Sequence, residues 1–126
     1  MLTKALILAL CTHTPDPHLH TYITEASQIY HVSEPLIFSV IVQESGCNHM
    51  AVNGPAVGLG QINTSVWPYK NLKDPRTNVL TTAKILAEYG ADTEYVTRAL
   101  TRYLGAYNTK YVQEIKDRVR YIRENI

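Results

Sequence analysis

Ser33-Glu34-Pro35-Leu36-Ile37-Phe38-Ser39-Val40-Ile41-Val42-Gln43-Glu44-Ser45-Gly46 is the stretch on which the fold turns. Ser33 suits an N-cap, Glu34 and Pro35 suit a first helical turn, and Gly46 suits the residue just past a C-terminus. Between them, Leu36 to Val42 is the most apolar run of the chain. The stretch predicts a short helix, apolar nearly all round and therefore buried. Glu44 falls in its last turn and is the only carboxylate between Glu34 and Asp74. Desolvation and the negative end of the helix dipole both disfavour its anion and raise its pKa. A carboxyl kept protonated near neutral pH is what a general acid requires. The plainer reading is a surface Glu at a frayed helix end, as most Glu residues are. Against it, no Lys or Arg occurs between Lys4 and Lys70 to pair with it. A glycine-rich turn also follows closely, Gly54-Pro55-Ala56-Val57-Gly58-Leu59-Gly60-Gln61-Ile62-Asn63. Glycines let backbone approach a ligand, and Gln61 and Asn63 both donate and accept hydrogen bonds.

Working outward, 126 residues with 45% apolar content suffice for one domain with one core. A net charge of +1 gives no global drive towards nucleic acid or membrane. Basic residues crowd the C-terminal end, but Glu114, Asp117 and Glu124 are interleaved with them, which describes a solvated helix face. Nine Tyr and one Trp supply nearly all the aromatics, and Tyr offers a flat apolar face with a polar tip, suited to a sugar cleft or a half-buried core. Two cysteines are too few for a disulfide framework. One bridge forms if both remain in an oxidised mature protein; Cys47 reads instead as a small buried hydrophobe. His18 and His20 sit in a Pro-flanked loop without metal-ligand spacing, so neither a metal nor a cofactor is expected.

Residues 1–17 stand apart, ahead of a domain over 18–126. Lys4 followed by Ala5-Leu6-Ile7-Leu8-Ala9-Leu10-Cys11 resembles a short signal peptide, and equally an N-terminal helical turn packed on the domain. The run is too short to span a bilayer as an ordinary helix. A helix is expected from His18 to Tyr30, with Tyr22, Ile23, Ala26, Ile29 and Tyr30 on one face. A short helix is expected around Asn63 to Trp67, stopped by Pro68. Asp74-Pro75 starts another and Gly90 stops it. Asp92 or Thr93 caps the next, where Val96, Ala99, Leu100, Tyr103, Leu104 and Tyr107 keep helical spacing. Val112, Ile115, Val119 and Ile122 mark the last. No region alternates with period two for long, so the fold class is all-α with at most minor β.

Three pieces now stand in order: Glu44-Ser45-Gly46, Gly58-Leu59-Gly60-Gln61-Ile62-Asn63 and Ala106-Tyr107-Asn108. With the Val-Ser-Glu-Pro-Leu lead-in at 32–36, the Asp74-Pro75 start and the closing Tyr121-Ile122, they resemble the soluble lytic transglycosylase family of the goose-type lysozyme-like superfamily. The likeness runs from about His18 to the C-terminus. It implies a compact lysozyme-like helical domain whose buried central helix ends at the catalytic Glu44. It further implies substrate contacts at Ser45, Asn53, Gly58, Leu59, Gln61, Tyr107, Asn108 and Tyr121. Ser45 positions the helix end, Gln61 lines the cleft, and Tyr107 and Asn108 lie across it. The chain departs from the family at three places. Gly60 stands where Met is frequent, Asn53 where many members have Ser, and Cys47 where an aromatic is common.

From Ser45 to Lys73 there is no Asp or Glu, whereas glycoside hydrolases generally use two carboxylates. A lone acid fits a route in which Glu44 protonates the bond between N-acetylmuramic acid and N-acetylglucosamine. It then takes the C6 hydroxyl proton, closing a 1,6-anhydro ring. Asp74, Glu88 or Asp92 as a second carboxylate would make a hydrolytic muramidase instead. A third reading is a peptidoglycan-binding or structural component of a secretion, conjugation or phage machine. The implied partners are peptidoglycan glycan strands and proteins of such machines, with no nucleic acid, for a monomer in the periplasm, the cell envelope or a phage particle.

Overall fold

The computed structural model describes residues 2–91 and 95–126. Helix α3 (Glu34–Ser45) forms as its ends dictate. The Ser33 hydroxyl accepts from the Leu36 N–H at 3.3 Å, Pro35 occupies the first turn, and Gly46 leaves the helix at φ 59. Leu36 to Ile41 are all buried. Side chains of this size contribute about 1.5–3 kcal/mol each when taken fully out of water. Ser39 is buried among them, and its polar atoms are matched. Its hydroxyl donates to the Ile115 carbonyl at 3.1 Å, and Arg118 donates to its carbonyl at 3.1 Å. A satisfied hydroxyl costs little in a core; an orphaned one costs more.

The other helices cover this rod. Helix α2 (Leu19–Tyr30) packs on α3 and lies along α4 (Pro75–Glu88), while α6 (Thr109–Glu124) lies along α3. Helix α5 (Val96–Leu104) bridges α4 and α6. Asp74 caps α4 by accepting from the Thr77 N–H at 2.9 Å and the Thr77 hydroxyl at 2.8 Å. Helix α1 (Lys4–Leu10) adds Leu6 and Ile7 to the core that holds Ile37 and Phe38, and Leu2, just before the helix, joins the same core.

Between α3 and α4 the chain makes a small antiparallel sheet in the order β1 (Val52–Asn53), β2 (Ala56–Val57), β3 (Ile62–Asn63). Val52 pairs with Val57, and Val57 with Ile62. The architecture is thus helical with minor β, as expected. Two-residue strands are too short for a period of two to show.

Several local expectations are corrected. No helix spans 63–67. Asn63 ends β3, its side chain accepts from the Ser65 N–H at 2.9 Å, and the Thr64 N–H and hydroxyl both bind the Pro55 carbonyl. The backbone and side-chain donors of that segment are committed to a turn, which competes with helix. Ile29 is half exposed rather than on the buried face of α2. Helix α5 stops at Leu104 because Gly105 takes φ 82, so Tyr107 does not continue its stripe and is 82% exposed. The cap expected at Asp92 or Thr93 lies outside the described residues.

Cys47 is buried, but it is not a free thiol: it is bonded to Cys11. The bond joins the segment after α1 to the residue after Gly46, across 36 positions of sequence. Closing a loop of that length restricts the unfolded chain. Cys11→Ser/Cys47→Ser is expected to lose about 2–4 kcal/mol of stability. Urea unfolding of the oxidised parent and the double variant measures this, and coincident midpoints would contradict it.

Candidate active site

Glu44 emerges half-buried from the last turn of α3 and faces two hollows. One, of about 250 Å³, is lined by Gln61, Ile62, Asn63, Trp67, Tyr103 and neighbours. The other, of about 610 Å³, runs past Ser45, Asn48, Met50 and Asn53. Glu44 lines both, and the two hollows together make up the candidate groove. Among the described residues, Glu44 is the one carboxylate lining either side.

Burial pushes the Glu44 pKa above its ordinary value. The Tyr111 hydroxyl donates to Oε2 and pulls the other way, but burial dominates. Tyr111 itself, buried and beside a developing anion, holds its proton well above the usual phenol range. It therefore remains a donor to Glu44 throughout the working pH range. Asn108 caps α6 by accepting from the Tyr111 N–H at 3.0 Å, which places Tyr111 on the first turn facing α3.

The glycine-rich loop is fixed against the helix end by side chains. The Ser45 hydroxyl lies 2.7 Å from the Leu59 carbonyl and 3.1 Å from that of Ile41. Gln61, at φ 48, donates from Nε2 to the Ala51 and Gly58 carbonyls and accepts at Oε1 from Asn53 at 2.8 Å. Its amide holds the loop in shape. The fully buried Asn78 anchors the loop from α4. Its Oδ1 accepts from the Gly60 N–H at 2.8 Å, and its Nδ2 donates to the Leu72 and Val57 carbonyls at 2.7 and 3.0 Å. Gly58, at φ +77, leaves the room that Asn78 fills: a Cβ there would stand 2.2 Å from its Nδ2.

Gly60 is explained in the same way. A Cβ on it would lie 2.0 Å from the Thr82 hydroxyl and 2.7 Å from that of Tyr103. Tyr103 donates to the Gly60 carbonyl at 2.5 Å and lines the hollow beside Glu44. Tyr103, reaching in from α5, thus occupies space that a larger residue at 60 would need.

Of the residues singled out in the sequence, Glu44, Ser45, Asn53, Gly58 and Gln61 come together. The Leu59 side chain points into the core, leaving its backbone at the site. Tyr107 and Asn108 line a separate groove of about 160 Å³. Tyr121 is exposed on α6 and lines neither hollow beside Glu44. Sequence reading missed Tyr111 and Asn78 altogether. Tyr111 shares the spacing of Ile115 and Ile122 on the buried face of α6, which would have marked it as inward-facing. Asn78 had no such signal, because nothing in a sequence shows which loop a buried amide will meet. Among the described residues, no three His, Cys, Asp or Glu side chains gather to hold a metal ion.

Glu44, its protonated form favoured by burial, thus stands between hollows lined by amides and aromatic rings. The transglycosylase SLT domain family matches residues 21–118, and the chain belongs to that family, whose role is cleavage of peptidoglycan. No curated protein and no solved structure matches the chain.

Tyr111→Phe removes the bond that favours the Glu44 anion, so the Glu44 pKa is expected to rise further. A carboxyl ¹³C NMR titration of both proteins reads it, and an unchanged or lower value would show that the hydroxyl does not act on the carboxylate. Gly60→Ala is expected to destabilise by about 1–3 kcal/mol through overpacking. Adding Thr82→Ala removes the nearest colliding hydroxyl and is expected to recover part of the loss. Simple addition of the two single losses in urea unfolding would count against that contact.

Proposed function

We propose that the protein is a lytic transglycosylase that cuts the β-1,4 bond between N-acetylmuramic acid and N-acetylglucosamine and leaves a 1,6-anhydro end. The observation that carries this reading is Glu44: an acid whose protonated form is favoured by burial, and the one carboxylate in the groove among the described residues. Asp74 is committed to capping α4, and Glu88 is exposed and lines neither hollow.

Protonated Glu44 donates to the bridging oxygen, and the glycosidic bond breaks towards it. The N-acetyl group of the muramic sugar supports the positive charge at C1. Glu44, now anionic, accepts the proton of the C6 hydroxyl as that oxygen closes on C1. The carboxyl ends as it began, and no water is consumed. Tyr111 supports the carboxylate form between the two transfers. One group serves in turn as acid and base, which requires a pKa near the working pH.

The setting that fits is the periplasm or cell envelope, as a local opener of peptidoglycan for a secretion, conjugation or phage machine. The Cys11–Cys47 bond supports an oxidising compartment.

Mass spectrometry of soluble fragments from purified peptidoglycan tests the reading. Anhydro-muropeptides, about 18 Da lighter than hydrolysed ones because the acid–base cycle adds no water, are expected. Glu44→Gln is expected to lower the rate by about 10²–10⁴-fold or more. Hydrated reducing ends would instead identify a muramidase, and binding without release a peptidoglycan-binding component.

A further inference from the structure

The hollow beyond Ser45 has one side that the glycine-rich loop does not supply. Thr12 and His13 line it, together with Asn48, Met50, Asn53 and Glu44. Both residues precede the part of the chain that the family match covers. They are held there by three independent contacts with the end of α3. Cys11 is bonded to Cys47. The His13 N–H donates to the Gly46 carbonyl at 3.0 Å. The Thr12 hydroxyl lies against the same carbonyl at 3.5 Å and against His13 Nδ1 at 3.2 Å. The approach is so close that a Cβ on Gly46 would stand 2.0 Å from the Thr12 hydroxyl. Gly46 therefore does more than end a helix: it admits the N-terminal segment to the rim of the groove.

We infer that Thr12 and His13 bind the glycan strand on this side of Glu44, so that the N-terminal segment completes the substrate cleft. This rests on the reading of the protein as a peptidoglycan-cleaving enzyme. The hollow, about 610 Å³, lies within the range of about 300–1,000 Å³ usual for ligand sites. Its lining holds no charged side chain apart from Glu44 among the described residues. It is therefore matched to the hydroxyl and acetamide groups of amino sugars rather than to the carboxylates of a stem peptide. His13 is exposed, and its Nε2 has no partner among the described residues. An imidazole so placed offers a flat face to a sugar ring and a ring nitrogen to a hydroxyl. Thr12 and the disulfide fix where that ring stands, which limits the entropy lost when the strand binds.

The test separates binding from cutting. Soluble, peptide-free strands of alternating N-acetylglucosamine and N-acetylmuramic acid are titrated calorimetrically into the Glu44→Gln protein, with and without His13→Ala. One lost hydrogen bond predicts a Kd weaker by about three- to tenfold. In the active protein, His13→Ala is expected to raise KM by a similar factor while kcat changes less than about twofold, the pattern of lost uniform binding. Cys11→Ser/Cys47→Ser, which removes one of the three contacts that hold the segment, is expected to weaken binding in the same direction. A kcat lowered together with thermal stability, at unchanged KM, would mark His13 as merely structural and overturn the inference. So would a Kd and KM indifferent to His13→Ala in an enzyme that cuts the strands. A protein that binds strands in a His13-dependent way yet releases no fragment would overturn the proposed reaction and leave the completed cleft standing.

Discussion

Helix α3 has no polar face to offer water, and the rest of the domain is arranged to cover it. Helices α2, α4 and α6 pack on it, and the N-terminal segment adds Leu2, Leu6 and Ile7 to the same core. The one hydroxyl in its apolar run, Ser39, is matched by α6. A rod enclosed in this way cannot pivot without opening the core. Its last turn is therefore a fixed point, and Glu44 inherits that fixity. The same enclosure partly desolvates the carboxyl and raises its pKa. Packing and chemistry share one cause.

Around that fixed point the glycine-rich loop is held in shape by two side-chain amides, one buried beneath it and one lining the hollow beside Glu44. Asn78 spends both ends of its side chain on Gly60, Leu72 and Val57. Gln61 spends its own on Ala51, Gly58 and Asn53. Glycine at 58 and 60 follows from these neighbours, since side chains there would collide with Asn78, Thr82 or Tyr103. The loop is thus rigid despite its glycines, and rigidity is what a site needs to keep an acid within reach of a bond.

Much of this was legible in the sequence, for physical reasons that can be named. Ser33, Pro35 and Gly46 bound α3, and Asp74-Pro75 starts α4, because caps act over three or four residues and leave a local signature. Glu44 stood out because an acid beside a long apolar run, with no nearby cation, has few places to go. What was hidden depends on distance along the chain. The Cys11–Cys47 bond spans 36 positions, and Tyr111 meets Glu44 across 67. The two-residue strands are held by pairing with neighbours rather than by any pattern of their own. The turn at Asn63 was mistaken for a helix because helix and turn compete for the same donors, and Pro55, eight residues earlier, decides between them.

The burial of Glu44 has a consequence for the folded state as a whole. In the unfolded chain this carboxyl titrates in the ordinary range; in the fold its pKa is raised. Between those two values the native state binds the more protons, so for this group stability falls as pH climbs through that window. The penalty is absent below the unfolded pKa, where both states are protonated, and complete above the folded one. The native state thus opposes ionisation of its own acid. In the proposed reaction, the same free energy that keeps a proton available for the glycosidic oxygen is withdrawn from the resistance of the domain to unfolding.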